Sequence, residues 1–197
     1  MTTERTARLR APATEAVVPD PPWRTAPAPG WNEVTVVRQR RLDAAGTRAV
    51  SVVQHLASLP VWEPKARRVT VKPAGPGNGN YTAAGRIAGL ITWRATFEYE
   101  LTDAGFHSWM ATPSRGFQVA GGFHVIDGAP GSCTVVHYEQ YHLPFANRSI
   151  AFAWRRYVTR SMNTELERIA LLAQPAPGQP SEPARRGWRR RALTAVA

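Results

Sequence analysis

The chain has almost no cysteine. Cys133 is the single one in 197 residues, so no internal disulfide can staple the fold. A lone thiol fits a reducing compartment. Long apolar runs are also missing. Nothing approaches the roughly 20 consecutive residues that a membrane-spanning helix needs. The early arginines are not followed by the apolar core of a leader peptide. The expectation is a cytoplasmic protein that is not integral to a membrane. Acidic residues are scarce, 14 against 25 lysines and arginines, for a net charge of +11. A basic chain associates with anionic surfaces without sequence or partner specificity. The glycine-rich G-P-G-N-G at 75–79 lacks the lysine and the following helix of a phosphate loop, so it reads as a turn.

What is present divides the chain in three. Residues 1–30 carry six prolines among alanines and threonines, with four arginines against three acids. Residues 174–197 run from P-A-P-G-Q-P into the basic R-R-G-W-R-R-R, with five arginines against one acid. Neither composition buries enough apolar surface to offset chain entropy, so both read as disordered tails. The folded domain is expected at 31–173, and no internal repeat is visible.

Within it, E-V-T-V-V-R-Q-R-R-L (33–42) reads as a strand. Ala49, Val52, Val53, Leu56 and Leu59 fall at helical spacing, predicting one helix over 46–59 that Pro60 ends. V-W-E-P (61–64) reads as a tight connection around Trp62. Short strands follow at 67–73 and 81–90. I-T-W-R-A-T-F-E-Y-E-L-T (91–102) alternates with period two, the mark of a half-buried strand in an antiparallel sheet. Asp103-Ala104 fits a hairpin turn, and strands are expected at 106–112, 117–126 and 133–143. After Pro144, Ile150, Trp154, Tyr157, Val158, Met162, Leu166 and Ile169 make one apolar face of a helix over 147–173, with Asn147 as its cap.

This order of elements, with H-L-A-S-L-P-V-W-E-P, F-H-V-I-D-G-A-P-G-S-C-T-V-V-H-Y-E and W-R-R-Y-V-T-R-S-M-N-T-E-L-E-R-I-A, resembles the START-like (SRPBCC) superfamily. The resemblance covers 31–173. It implies an α+β helix-grip fold, with a curved antiparallel β-sheet wrapped around a long C-terminal α-helix and a hydrophobic cavity between them. Members of that superfamily bind lipids, steroids or aromatic polyketides there, and a minority catalyse cyclisation or dehydration.

The hairpin turn pairs Leu101 with Phe106 and Tyr99 with Ser108. Trp93, Phe97, Tyr99, Phe106, Ser108 and Met110 then face the cavity, while Arg94, Glu98, Glu100, His107 and Trp109 face outward. An outward Trp109 is unusual, and a bulge in this hairpin would reverse the assignment. In V-V-H-Y-E-Q-Y-H-L-P (135–144), His137, Glu139 and Tyr141 share a face with Cys133, Val135 and Leu143, which are expected to point inward. A buried Glu139 needs a partner or a proton.

Two readings stand. Glu139, His137 and Tyr141 form an acid–base or ligand-orienting group, or Glu139 simply pairs with an arginine of a neighbouring strand or lies at the cavity mouth. A metal site is not expected, because His137 and His142 point to opposite faces and no third ligand converges. No cofactor is implied.

Trp93, Phe97, Tyr99, Met110, Glu139, Tyr141 and Trp154 are the candidate ligand-binding residues. Arg86 joins them as a cation that could reach a ligand carboxylate or Glu139, against the plain reading of a solvated arginine. His55 reads as a surface residue and Cys133 as a small apolar one.

Three functions remain open. One is a carrier or binding protein for a hydrophobic small molecule, lipid or polyketide-like. The second is a cyclase, aromatase or dehydratase-type enzyme using the same cavity. The third is an interaction module whose basic C-terminal tail associates weakly with anionic surfaces. No specific nucleic acid is predicted.

Overall fold

The β-branched and alternating segments form one sheet because each has a single apolar face to bury. In the computed structural model, residues 32–112, 117–144 and 148–174 are described. The strands are β1 (Asn32–Leu42), β2 (Ala66–Gly75), β3 (Asn78–Ile87), β4 (Ile91–Thr102), β5 (Gly105–Met110), β6 (Gln118–Asp127) and β7 (Cys133–Leu143). They pair antiparallel in the order β1-β7-β6-β5-β4-β3-β2. The first strand thus closes on the last, Val36 facing Glu139 and Val34 facing Tyr141.

The β4–β5 hairpin has the predicted register, with Leu101 opposite Phe106 and Tyr99 opposite Ser108. Trp109 does stand outward, where its indole N–H donates to Glu98 Oε2 at 2.8 Å. That bond satisfies the polar edge of the ring, so no bulge is needed. Between β2 and β3 the glycine-rich segment shrinks to a tight turn, with Gly77 at φ +82°.

The 26-residue α3 (Arg148–Ala173) packs against β1 and β7. Val158, Met162, Leu166 and Ile169 are buried on its inner face as expected, but Ile150, at 44% exposure, is not part of that core. The proposed cap Asn147 and both tails lie outside the described residues.

The predicted single helix over 46–59 is broken. Helix α1 (Gly46–Gln54) stops at His55, whose ψ of 71° leaves helical geometry. A 3-10 turn follows at Leu56–Ser58, then the single turn α2 (Leu59–Trp62). Pro60 sits inside the first turn of α2, where its missing N–H costs nothing, and so opens a helix instead of ending one. The break turns the chain inward. Trp62 becomes 1% exposed and meets Phe123 edge-on at 5.3 Å. Trp62, Glu63 and Lys65 of the V-W-E-P-K connection are therefore buried, while Val61 stays exposed. This is the helix-grip fold: a curved antiparallel sheet around a long C-terminal helix.

Candidate functional site

The space between the sheet and α3 is a cavity of about 650 Å³. Its walls are mostly aromatic and aliphatic: Trp93, Phe97, Phe106, Met110, Phe123 and Trp154 all line it. One part of the lining is polar. Glu63 and Lys65 enter from the connection after α2, and His137, Glu139 and Tyr141 from β7.

Lys65 is the hub. Its Nζ lies 2.9 Å from Glu139 Oε1, 3.2 Å from Glu165 Oε1 and 3.5 Å from Glu63 Oε2. Three carboxyl groups therefore share its three protons. The position of Lys65 is fixed through its backbone. Its carbonyl oxygen accepts from the Arg86 N–H at 3.0 Å and from the Trp93 indole at 3.1 Å. This approach requires Gly85, because a Cβ there would lie 1.8 Å from the Lys65 oxygen.

Glu165 comes from α3 and is fully buried. It accepts from Ser161 Oγ at 2.9 Å and lies 2.8 Å from His137 Nε2. His137 Nδ1 faces the Gly122 carbonyl at 2.9 Å. The Gly122 carbonyl can only accept, so the Nδ1 proton is directed at it and Nε2 faces Glu165. The ring also stacks on Phe123, with centroids 3.9 Å apart. Tyr141 donates to Glu139 Oε2 at 2.6 Å.

Burial sets the charge states. Desolvation, reinforced by Glu165, pushes Glu63 well above the usual carboxylate range despite Lys65. Desolvation also works against the Lys65 ammonium, but Glu139, Glu165 and Glu63 outweigh it and hold the group well above the usual lysine value. For Glu165 desolvation is likewise outweighed, by Lys65 and His137, and the carboxyl is held far below its ordinary range. The polar end of the cavity thus sets one cation, Lys65, against one carboxylate, Glu165, with Glu63 as a neutral acid. Burial and the adjacent Glu139 raise the Tyr141 phenol well above its ordinary value, so it stays a donor.

The sequence candidates divide as follows. Trp93, Phe97, Met110, His137, Glu139, Tyr141 and Trp154 line the cavity together. Two candidates do not. Tyr99 is buried in the core beside Tyr81, and Arg86 is exposed on the outer face of β3. Arg86 therefore does not reach Glu139. The predicted arginine partner is corrected to Lys65, and Glu139 is buried in the cavity wall, not solvated at its mouth.

The third metal-ligand position judged absent is supplied by Glu165. Its ligand atom and those of His137 and Glu139 lie within 4.8 Å of one another. The Lys65 ammonium already lies among these carboxylates, so an ion there would have to displace it.

Sequence reasoning missed Glu63, Lys65 and Glu165. Glu165 had a legible signal. It lies three residues after Met162 and four before Ile169, on the apolar stripe of the helix.

A curved sheet gripping a long helix over a largely aromatic cavity is the helix-grip architecture. The chain belongs to the polyketide cyclase / dehydrase and lipid transport family, whose model matches residues 33–174. No curated protein matches it in sequence.

Among solved structures it is similar to the aromatase/cyclase ZhuI from Streptomyces sp. R1128. Identity is 13% and the TM-score 0.64, over 72% of this chain and 94% of that one. It is similar to norcoclaurine synthase from Thalictrum flavum (14%, TM-score 0.55, 72% and 94%). It is also similar to a START superfamily protein from Mycobacterium smegmatis (11%, TM-score 0.56, 71% and 96%). At these identities the likeness is one of fold. Among the described residues, no helix is long and apolar enough to cross a membrane.

Proposed function

We propose that the protein binds a hydrophobic small molecule, lipid or polyketide-like, that carries one uncharged oxygen-bearing end. The observation that supports this most is the division of a single cavity into apolar aromatic walls and one charge-balanced polar end. A volume of about 650 Å³ is within the usual range for ligand sites. The polar end disfavours ionic head groups. A carboxylate would meet Glu139, with the Glu165 carboxylate behind it, and the Lys65 protons are already engaged. An ammonium would meet Lys65.

Neutral donors remain for a carbonyl or phenol oxygen. Tyr81 donates to Ser108 Oγ at 3.1 Å, which leaves the Ser108 proton for a ligand. Protonated Glu63 offers another. Trp93, Phe97, Met110 and Trp154 hold the apolar body.

Native mass spectrometry of freshly purified protein tests this reading. A co-purified apolar molecule bearing a ketone, phenol or alcohol is the expected adduct. Protein that carries nothing, and takes up no such molecule when offered it, contradicts the reading.

One observation favours a second, enzymatic reading of the cyclase, aromatase or dehydratase type. Glu63 is a neutral acid in the cavity wall beside a fixed ammonium, an arrangement that can protonate a carbonyl as its α-carbon reacts. His137 and Glu139 are not the acid–base pair on this reading. His137 Nε2 lies 3.9 Å from Glu139 Oε1, beyond hydrogen-bond distance, and Glu165 holds the ring. Turnover of a polyketone that is lost in Glu63→Gln, with binding retained, supports it. Equal turnover in that variant argues against it.

A further inference from the structure

The cavity mouth carries an exposed turn whose tip, Leu90, stands clear of the cavity lining. β3 and β4 join through Ala88, Gly89 and Leu90, with Ala88 and Gly89 at φ +50° and +74°. This tight turn holds Leu90 at 86% exposure and Ile91 at 62%. The Ala88 N–H donates to the Tyr157 hydroxyl at 3.0 Å, so the hairpin tip rests against the N-terminal half of α3. Ile87 and Ile91 of the hairpin line the same cavity as Trp154 of α3. Ile150, one helical turn before Trp154, is 44% exposed.

The charge around this rim has one sign. Residues 84–97 contain Arg86 and Arg94 and no acid, and residues 148–160 contain four arginines and no acid.

We infer that this rim is a docking surface for an anionic lipid bilayer, with Leu90 and Ile91 inserted among the acyl chains and the arginines on the headgroups. The shape favours a bilayer over an acidic protein. A convex turn with aliphatic tips needs a matching pocket in a protein partner, whereas a lipid interface accepts it without one. Arginine stems also lie along apolar surface while their heads stay in the polar layer. Docking in this orientation turns the mouth toward the acyl region, so an apolar ligand passes without crossing water. The inference stands apart from the ligand reading, because docking needs no ligand.

The test is co-sedimentation of the full chain with phosphatidylcholine vesicles, with and without about 30 mol % phosphatidylglycerol. Binding to the anionic vesicles alone is expected. Leu90→Asp combined with Ile91→Asp should weaken it about tenfold or more. Both side chains are exposed, so an unchanged circular dichroism spectrum and melting midpoint will certify the fold.

A second readout uses the protein's single, buried cysteine. Leu90→Cys labelled with a polarity-sensitive dye should shift to the blue on anionic vesicles. Four results would each overturn the proposal: no binding by the natural chain, equal binding by the double variant, an unshifted dye, or capture by a soluble acidic protein in place of vesicles. So would binding that survives the double variant but disappears when Arg185, Arg186, Arg189, Arg190 and Arg191 become glutamine, since the tail would then be the anchor.

Discussion

The two faces of β7 carry similar residues and do different things. Tyr138, Gln140 and His142 point outward, and His137, Glu139 and Tyr141 point inward. On the outer face of the sheet the polar groups meet in small local groups, the largest around Glu33, which takes Gln140 and Thr35 and lies 3.9 Å from His142. Tyr138 meets His107, Gln140 donates to Glu33 at 2.6 Å, and Trp109 donates to Glu98 at 2.8 Å. On the inner face the same kinds of group join one network through Lys65 and Glu165. The exposed outer contacts, Trp109 with Glu98 and Gln140 with Glu33, are screened and nearly independent, although Tyr138 and His142 are themselves buried. Inner ones share a low dielectric, so each fixes the charge of the next. The difference lies in what the rest of the chain places opposite the strand, not in the strand itself.

Lys65→Met should break this contrast most strongly. It strands Glu139 and Glu165 without their main cation, at a cost of about 3–5 kcal/mol by urea unfolding at neutral pH. A loss below about 1 kcal/mol would mean the inner network is no more coupled than a surface pair.

Glu63→Gln should have the opposite sign and a smaller size. Glu63 has a raised folded-state pKa, so the folded protein holds a proton that the unfolded chain releases above about pH 4.3. Its effect therefore turns against stability as pH rises through that window. The amide mimics the neutral acid, so the variant should gain about 1–2 kcal/mol at pH 8 and almost nothing at pH 4. Glu165 and Lys65 run the other way. The depressed Glu165 stabilises above about pH 4.3 and loses that effect as acid is added. The elevated Lys65 stabilises below about pH 10.4 and loses the effect as alkali is added. A pH–stability curve with no slope in these windows would contradict the assigned charges.

Trp154 is only half-buried, so Trp154→Ala should cost less than the roughly 3–5 kcal/mol of a fully packed tryptophan and should weaken ligand binding instead. Full loss of stability with intact binding would place it in the core. Least of all, Glu98→Gln on the outer face should change stability by no more than about 0.5 kcal/mol. A larger effect would erase the distinction between the faces.

Much of the fold was legible because period-two patterns carry their own register. Ile91–Thr102 and the Asp103-Ala104 turn predict the hairpin pairing residue by residue. The alternation in β7 likewise puts His137, Glu139 and Tyr141 on one side. The floor was not legible, for two physical reasons. The helical spacing of Leu56 and Leu59 continues that of Val53, so nothing in the pattern reports the backbone break at His55. A connection such as V-W-E-P-K also reads as solvated, and only the buried Trp62 behind it draws Glu63 and Lys65 inside. Glu165 stood in a polar run with Asn163, Thr164 and Glu167, and only its spacing from Met162 and Ile169 marks it as the member that faces inward.

Titration calorimetry with three ligands of equal chain length asks most directly what the inner face recognises. A long-chain methyl ketone, the matching fatty acid and the matching primary amine are added separately to the full protein at pH 7. The charge-balanced floor predicts tightest binding for the ketone, with both ionic heads weaker. A carboxylate or an ammonium that binds as tightly as the ketone would contradict a neutral-head site built on Lys65, Glu63 and Glu139.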